Sequence, residues 1–449
     1  MEKGNVLMTE GSIWKKITFF ALPLFLGNLF QQLYNTADSL IVGNFLGSNA
    51  LAAVSSSGNL IFLMIGFFNG IAMGAGVVIS RYFGAKDHAN LQKAIHTTVA
   101  FGLVASILLT ILGVLLAPQL LIWMDTPANV LSSSITYFRI YFAGSLGLVM
   151  YNIFVGILQA IGDSRHPLYY LIISSITNII LDILLISVFH MGVGAAAFAT
   201  IVSQFISAIL CLSLLLRTNE VYRVELSKIR FHKEQLTMIL RLGIPSGIQN
   251  SIIAIANVVV QSNINGFGEL AMAGCGAYSK IEGFAFLPIT SFTMALTTFV
   301  GQNLGAKQYK RTKQGALFGM LCSMGLAEII GVFMFLFAPM LTAAFSSDTQ
   351  VIAFGVERAR TSALFFFLLA YSHCISAILR GAGKSTIPMF VMLICWCVIR
   401  VTILMVCTPI FESIQVVYWV YPITWSLSSI FFFLYYKKAN WLYAFQSKV

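Results

Sequence analysis

The chain has 449 residues, of which 58% are hydrophobic and only 10% are charged. A soluble domain carries about 25% charged residues, so the composition excludes a soluble globular protein and indicates an integral membrane protein. The formal net charge of +11 does not indicate nucleic-acid binding, because the basic residues lie in alternate short loops.

Twelve apolar stretches follow one another along the chain, separated by short segments rich in Gly, Pro and Asn. A helix needs about 20 apolar residues to cross the roughly 30 Å hydrocarbon core of a bilayer, and each stretch is long enough. The sequence therefore predicts an all-α integral membrane protein with twelve transmembrane helices. The predicted spans are 15–43, 50–77, 92–117, 130–158, 166–189, 193–216, 236–264, 271–299, 314–341, 352–379, 387–409 and 415–436.

The two halves of the chain repeat each other at a shift of 221 residues, since Phe83–Lys86 returns as Leu304–Lys307. The run ILQAIGDSRHP at 157–167 returns as ILRGAGKSTIP at 378–388, with five of the eleven positions identical. Same-sense repeats of a multi-helix unit are typical of transporters. The twelve helices are therefore predicted to form two pseudo-symmetric six-helix bundles.

A polar segment, Arg217 to Arg241, separates the halves. The predicted organisation is an N-terminal six-helix bundle at 1–216, a cytoplasmic connector at 217–235, and a C-terminal bundle with a short cytoplasmic tail at 236–449. Lys and Arg residues concentrate in the terminal segments, the connector and every second loop. By the positive-inside rule, this pattern predicts a multi-pass protein of the cell's inner (plasma) membrane with both termini cytoplasmic.

Motifs for enzymatic chemistry are missing from the sequence. The seven cysteines and six histidines show no zinc-ligand spacing, and the Gly-rich stretches lack the spacing of a nucleotide-binding loop. A membrane-embedded acyltransferase would need a nucleophile or a His–acid pair, and His373 has no obvious acid partner. We therefore expect no enzyme activity, no catalytic residues, no bound metal and no cofactor; an ion gradient would supply the energy for any pumping.

Ionisable residues at membrane depth are costly and are functional candidates by default. Asp182 lies about 22 Å along its helix from Pro167, and Asn178 lies one turn earlier on the same face. Asp38 and Thr200 reach a compatible depth. Two carboxylates, an amide and a hydroxyl could together hold a proton or Na⁺.

Several motifs together resemble the multidrug and toxic compound extrusion (MATE) transporters, over essentially the whole chain. They are PLFLGNLFQQLYNTADSLIVGNFLG at 23–47, YFGAK at 82–86 with its repeat GQNLGAK at 301–307, YFRI at 137–140 and NIILDILL at 178–185. The resemblance implies a cation-coupling site in the N-terminal half, and the matching residues are Asp38, Asn178, Asp182 and Thr200. It also implies a bending helix 1, with the hinge at Pro23.

Glu282, in YSKIEGF, resembles an acid that some family members carry in the C-terminal half, where it would act as a substrate or proton group. A pairing with Lys280 or Arg400 would instead make it structural. Arg139 and Arg360 recur at the same shift in both halves, which favours a scaffold role. Gly66, Gly70 and Gly74 follow a four-residue spacing that is typical of a close helix contact.

The resulting functional expectation is a secondary active multidrug efflux transporter that exports organic, mainly cationic, compounds by antiport with H⁺ or Na⁺. The expected partners are small organic cations and drugs and the lipid bilayer, with no nucleic acid, and the expected state is a monomer. The alternative is a lipid-linked saccharide flippase of related double-bundle architecture. Arg139, Arg360 and Arg400 would supply the cationic cavity for its diphosphate, although the two extra spans expected of it are absent.

Overall fold

The computed structural model describes residues 7–124 and 126–443, and every element in these ranges is helical. Among the described residues, eleven helices are long and apolar enough to cross a membrane, and a bent pair, Ala128–Ala143 with Ser145–Ala160, makes a twelfth span when counted as one. The predicted all-α fold with twelve spans is confirmed.

Contacts between residues divide the chain into two compact units. The N-terminal unit is built from Leu26–Gly247 and the C-terminal unit from Met8–Phe25 and the chain from Ile248 onward. The first helix, α1 (Ile13–Leu46), belongs to both, as does α8 (Lys233–Asn265). The division into two bundles with a connector at 217–235 stays a prediction.

The N-terminal unit contains the later part of α1, six complete helices and the early part of α8. The complete helices are α2 (Ser48–Gly84), α3 (His88–Trp123), α4 (Ala128–Ala143), α5 (Ser145–Ala160), α6 (Arg165–Asp182) and α7 (Gly194–Arg217), with a π-helical turn at Ile183–Val188 after α6. Its core brings residues of α2, α3 and α5 together with Ile239 and Leu242 of α8.

The connector between α7 and α8 is fastened to α3 of the same unit. The Gln92 side-chain amide donates to the carbonyl oxygens of Val221 at 2.5 Å and Arg223 at 3.1 Å, and the Glu225 backbone N–H donates to His96 Nε2 at 2.9 Å. These bonds satisfy backbone groups that a free linker would leave to water. The connector is thus held against α3 by hydrogen bonds, and it contains a short 3₁₀ turn at Leu226–Lys228.

The C-terminal unit contains the early part of α1, the later part of α8 and seven further helices. These are α9 (Glu269–Gly305), α10 (Tyr309–Ala343), α11 (Thr349–Ser362), α12 (Phe366–Gly381), α13 (Thr386–Met392), α14 (Arg400–Phe411) and α15 (Gln415–Lys438). A 3₁₀ turn, Ala363–Phe365, joins α11 to α12, a π-helical segment, Leu393–Ile399, joins α13 to α14, and a 3₁₀ turn follows at Trp441–Tyr443.

The α-helical pattern of one span in each unit is interrupted at equivalent positions of the repeat, by a bend in the N-terminal unit and by a 3₁₀ turn in the C-terminal unit. The helices α4 and α5 meet at Gly144 with a bend of 50°, and the 3₁₀ turn between α11 and α12 ends at Phe365, which is 221 residues later. A Cβ atom on Gly144 would lie 2.3 Å from Ile201 Cγ2. Glycine therefore lets α7 pack against the bend, and the shared break supports the pseudo-symmetry of the two bundles.

Each unit holds the first part of a helix that continues in the other unit. Ile17, Phe20 and Leu24 of α1 pack with Phe292 and Phe299 of the C-terminal unit. The segment before α1 is fixed to the same unit, because the Met8 backbone N–H donates to Gln302 Oε1 at 2.8 Å. The apolar face of early α1 therefore belongs to the C-terminal core.

Candidate functional site

The centre of the N-terminal candidate site is a pair of carboxyl groups on two helices. Asp38 lies on α1, Asp182 is the last residue of α6, and their carboxyl groups lie close enough to interact directly. A hydrogen bond between two carboxyl groups requires a proton on one of them, because ionised carboxylates only accept. The Oδ1 atom of each residue is buried without a partner. The structure thus brings the two predicted acids together and leaves an acceptor open on each.

Asn178 and Thr200 complete the predicted set around Asp182. In the amide orientation that satisfies both ends of the Asn178 side chain, its nitrogen donates to Asp182 Oδ2 at 3.3 Å and its oxygen accepts from the Thr200 backbone N–H at 3.3 Å. In the reverse orientation the amide oxygen of Asn178 faces another acceptor, and the amide nitrogen makes only a 3.5 Å contact with Thr200 Oγ1. Asn178 therefore links the acid on α6 to α7, and all four predicted residues lie in one cluster.

Two tyrosines that sequence reasoning missed belong to this cluster. Tyr34 lies one turn before Asp38 on α1 and interacts electrostatically with it. Tyr137, on α4, interacts with both acids, is 6% exposed, and stacks on Tyr141 with ring centroids 6.2 Å apart. The i,i+4 spacing of Tyr34 and Asp38 was the available sequence signal for the first of them.

Local helix geometry sets the position of Asp182. The α-helical hydrogen-bond pattern of α6 ends at this residue, and a π-helical turn, Ile183–Val188, follows directly. Single π-helical turns inside helices occur frequently at functional sites, because the extra residue re-aims the side chains around it. Asp182 itself is fully buried, so its carboxyl group depends on protein partners for solvation.

The predicted hinge, Pro23, lies inside α1, shortly before the chain passes from the C-terminal to the N-terminal unit at Leu26. Proline removes one backbone N–H donor and weakens a helix locally. The structure shows one continuous helix through this position, and the role of Pro23 as a hinge stays a prediction.

Glu282 lies in a separate cavity of about 320 Å³ within the C-terminal unit. It accepts a hydrogen bond from Tyr278 Oη at 3.2 Å. Of the two pairing partners considered from the sequence, Arg400 lines the same cavity, whereas Lys280 is exposed. Aromatic side chains from three elements, Phe286, Trp396 and Trp425, form much of the wall.

A second arginine of this cavity, Arg358, was missed by the sequence analysis. Arg358 is 4% exposed and Arg400 is 2% exposed, and each has a buried Nε atom without a hydrogen-bond partner. Their guanidinium groups lie over the ring of Tyr421, at 5.4 Å and 4.5 Å from its centroid. Arg360, which the repeat singled out, is exposed and lies over Phe335 at 6.0 Å.

The remaining candidates have simpler surroundings. His373 packs edge-on against the rings of Phe286 and Trp396, with centroids 5.2 Å away in each case. Arg139 is exposed, and its Nε donates to the Val114 carbonyl at 3.3 Å. Within residues 7–124 and 126–443, no group of three or more His, Cys, Asp or Glu side chains could hold a metal ion.

Comparison with known proteins gives one family for the whole chain. The sequence model of the MatE family matches twice, at residues 23–184 and 245–406, which agrees with the internal duplication. The chain is similar to "Probable multidrug resistance protein YoeA" of Bacillus subtilis, with 27% identity over 96% of this chain and 94% of the relative. It is 29% identical to "Probable multidrug resistance protein YpnP" of the same organism, over 87% of this chain and 88% of the relative.

Solved structures show the same fold. An outward-facing multidrug resistance MATE family transporter of the MOP superfamily superposes with a TM-score of 0.90, at 23% identity over 97% of this chain and 98% of that chain. A MOP superfamily transporter from Pyrococcus furiosus, described as having a binding pocket of reverse polarity, also superposes with a TM-score of 0.90, at 24% identity and the same coverage. With both repeats matched by the family model and the transporter fold shared along almost the entire chain, this protein belongs to the MatE family of membrane transporters, the MATE transporters.

Proposed function

We propose that this protein is a secondary active multidrug efflux transporter that exports organic compounds by antiport with H⁺ or Na⁺. The observation that carries the proposal is the Asp38–Asp182 carboxyl pair, which brings an acid of α1 against an acid of α6 and leaves one buried acceptor open on each residue. The names of the relatives support multidrug efflux. Since MATE proteins are transporters, no enzyme activity is part of the proposal.

The pair couples ion binding to helix position because its two charge states differ in the force between the helices. With both carboxyls ionised, the like charges repel at a site where Asp182 is fully buried, and this repulsion pushes α1 away from α6. One proton replaces the repulsion with a hydrogen bond between the two carboxyl groups. The amide of Asn178 holds the Asp182 carboxyl group in place. A change in charge should therefore move mainly Asp38 and α1.

Na⁺ could replace the proton, because the site offers the ligands that a hard cation prefers. The carboxylate oxygens of Asp38 and Asp182, together with Asn178 and Thr200, supply oxygen donors. These donors suit Na⁺ without the softer nitrogen or sulfur ligands that transition metals select. The coupling ion, H⁺ or Na⁺, is therefore transported cargo, with no resident cofactor in the cycle.

We further propose organic cations and drugs as the main cargo of the N-terminal site, where the acids provide the complementary charge. The protein would act as a monomer in the plasma membrane, with both termini in the cytoplasm. The flippase alternative relied on Arg139, Arg360 and Arg400 in one cationic cavity. Arg139 and Arg360 are exposed and do not line the cavity of Arg400, so this alternative gains no support.

The test is export of a monovalent cationic dye from vesicles under separately imposed pH and Na⁺ gradients. Asp38→Asn and Asp182→Asn should each abolish gradient-dependent export, and the double variant should be no worse than either single one, because the pair acts as a unit. Asp348→Asn is the matched control, since Asp348 caps α11 and Asn caps a helix equally well. Near-normal coupled export by both single variants at matched expression would contradict the proposal.

A further inference from the structure

The Glu282 cavity of the C-terminal unit contains more buried positive than negative charge. Arg358 comes from α11 and Arg400 from the start of α14, and both line the cavity with Glu282. Among the described residues, the electrostatic neighbours of the two guanidinium groups include one carboxylate, Glu282, besides tyrosine and cysteine side chains. An ionised Glu282 leaves one positive charge in excess, and a protonated Glu282 leaves two.

Buried guanidinium groups need hydrogen-bond acceptors, and these two are under-supplied. Arg400 Nη2 donates to Thr424 Oγ1 at 3.0 Å, whereas the Nε atoms of both arginines have no partner. The ring of Tyr421 lies near both charges, and a π face offsets only part of the lost hydration. A planar guanidinium with free donors matches the geometry of a carboxylate.

We propose that this cavity is a binding subsite for an organic anion, an aromatic carboxylate, which binds Arg358 and Arg400 in competition with the carboxylate of Glu282. The cavity volume of about 320 Å³ falls at the lower end of small-molecule pockets, which suits a cargo of one or two rings. Trp396, Trp425 and Phe286 supply the aromatic wall. The subsite rests on the proposed export function for the fate of the anion, but binding itself needs no gradient.

If the anion and Glu282 compete, substitutions of the arginines and of Glu282 should change anion affinity in opposite directions. Removing an arginine should weaken anion binding, whereas removing the charge of Glu282 should strengthen it, because a negative group in the same cavity no longer repels the anion. A purely structural charge cluster predicts no relation between the charge of Glu282 and anion affinity. An acidic site for cations predicts the opposite sign, with Glu282→Gln weakening its ligand.

The experiment is equilibrium dialysis of labelled 1-naphthoate against the purified full-length protein in detergent. The neutral 1-naphthamide and the cation 1-naphthylmethylammonium serve as ligands of matched shape. We expect 1-naphthoate to bind at least tenfold more tightly than the amide, a difference of about 1.4 kcal/mol, because a hydrogen-bonded pair of opposite charges is stronger than a bond to a neutral amide. Equal binding of the acid and the amide to the wild-type protein would overturn the proposal without any variant.

The variants distinguish an effect of the two buried arginines from an effect of positive charge on the protein surface. Arg358→Gln and Arg400→Gln should each weaken 1-naphthoate at least tenfold, and Glu282→Gln should strengthen it several-fold. Arg360→Gln, in the same helix but exposed, should leave binding unchanged. Unchanged or weaker binding in Glu282→Gln would refute the competition. Asp38→Asn should keep 1-naphthoate binding while losing export, so failure of the coupling proposal and failure of the subsite give different results.

Discussion

The row of glycines on α2 allows a quantitative stability prediction. The sequence predicted Gly66, Gly70 and Gly74 as a close contact face, and the structure confirms it for two of them. A Cβ on Gly70 would lie 2.2 Å from the backbone nitrogen of Gly247 on α8, and a Cβ on Gly74 would lie 2.4 Å from that of Gly243. Both obstacles are backbone atoms, which cannot rotate away as a side chain would.

Gly70→Ala would therefore force α2 and α8 apart by more than 1 Å, since ordinary contact begins near 3.4 Å. Over-packing costs about 1–3 kcal/mol, and a backbone obstacle places this site at the upper end. The higher helix propensity of Ala offsets about 1 kcal/mol of this cost. We expect a net loss of about 2 kcal/mol, which lowers the melting temperature by about 4–8 °C for a unit of this size.

The assay is thermal unfolding of the purified protein in detergent, followed by fluorescence. The matched control is Gly156→Ala on α5, where an added Cβ meets nothing within 4 Å, so only the propensity gain of about 1 kcal/mol should remain. If Gly70→Ala melts at or above the wild-type temperature, the helices are not held at the separation seen here and the steric reasoning fails.

Two further predictions concern the hinge and the orientation. Pro23→Ala restores a backbone hydrogen bond in α1, so the rate of dye export should fall while cation binding by the purified protein persists; an unchanged rate would argue against a hinge. In a background without native cysteines, a cysteine at Ser346 should react with an impermeant thiol reagent added to intact cells, and one at Ser227 in the connector should not. Labelling of the cysteine at position 227 from outside would contradict the predicted orientation.

The number of helices was predictable because apolar length alone determines whether a helix can cross a bilayer. The breaks inside the spans were not predicted. The apolar pattern predicted one helix over 130–158, whereas α4 and α5 meet at Gly144. An isolated glycine in an apolar helix is usually tolerated, and only the side chain of Ile201, far away in sequence, makes this one necessary.

The arginines show a limit of reasoning from repeats. The internal duplication pointed to Arg360 as the partner of Arg139, and both are exposed. The buried residue is Arg358, two positions earlier, and two positions in an α-helix differ by about 200° in direction. A repeat conserves the outward face as readily as the inward one, so the sequence could not tell which arginine enters the cavity.

The assignment of early α1 and early α8 to the opposite units could also not be predicted from the sequence. Early α1 packs in the C-terminal unit and early α8 in the N-terminal unit. Polar residues lie at both changes, Asn28 in α1 and Gln249 and Asn250 in α8, but they do not indicate which core each helix segment joins. In a membrane protein both surroundings are apolar, and hydrophobicity does not distinguish between two protein cores. The acid cluster was easier to predict, because charges at membrane depth are rare. Helical rise, together with a bend at Pro23 and helix tilt, gave Asp38 a depth compatible with that of Asp182.

The charge of the cargo decides how strongly the membrane potential drives export, which links the two candidate sites. Exchange of one cationic dye for one H⁺ or Na⁺ moves no net charge, so only the ion gradient contributes. Export of 1-naphthoate against one entering cation moves two charges, worth about 4.6 kcal/mol per 100 mV, or accumulation on the order of 10³-fold. A potassium diffusion potential imposed on vesicles should therefore accelerate naphthoate export strongly and dye export little. If the potential affects both equally, naphthoate does not leave as an anion through an antiport cycle of this stoichiometry.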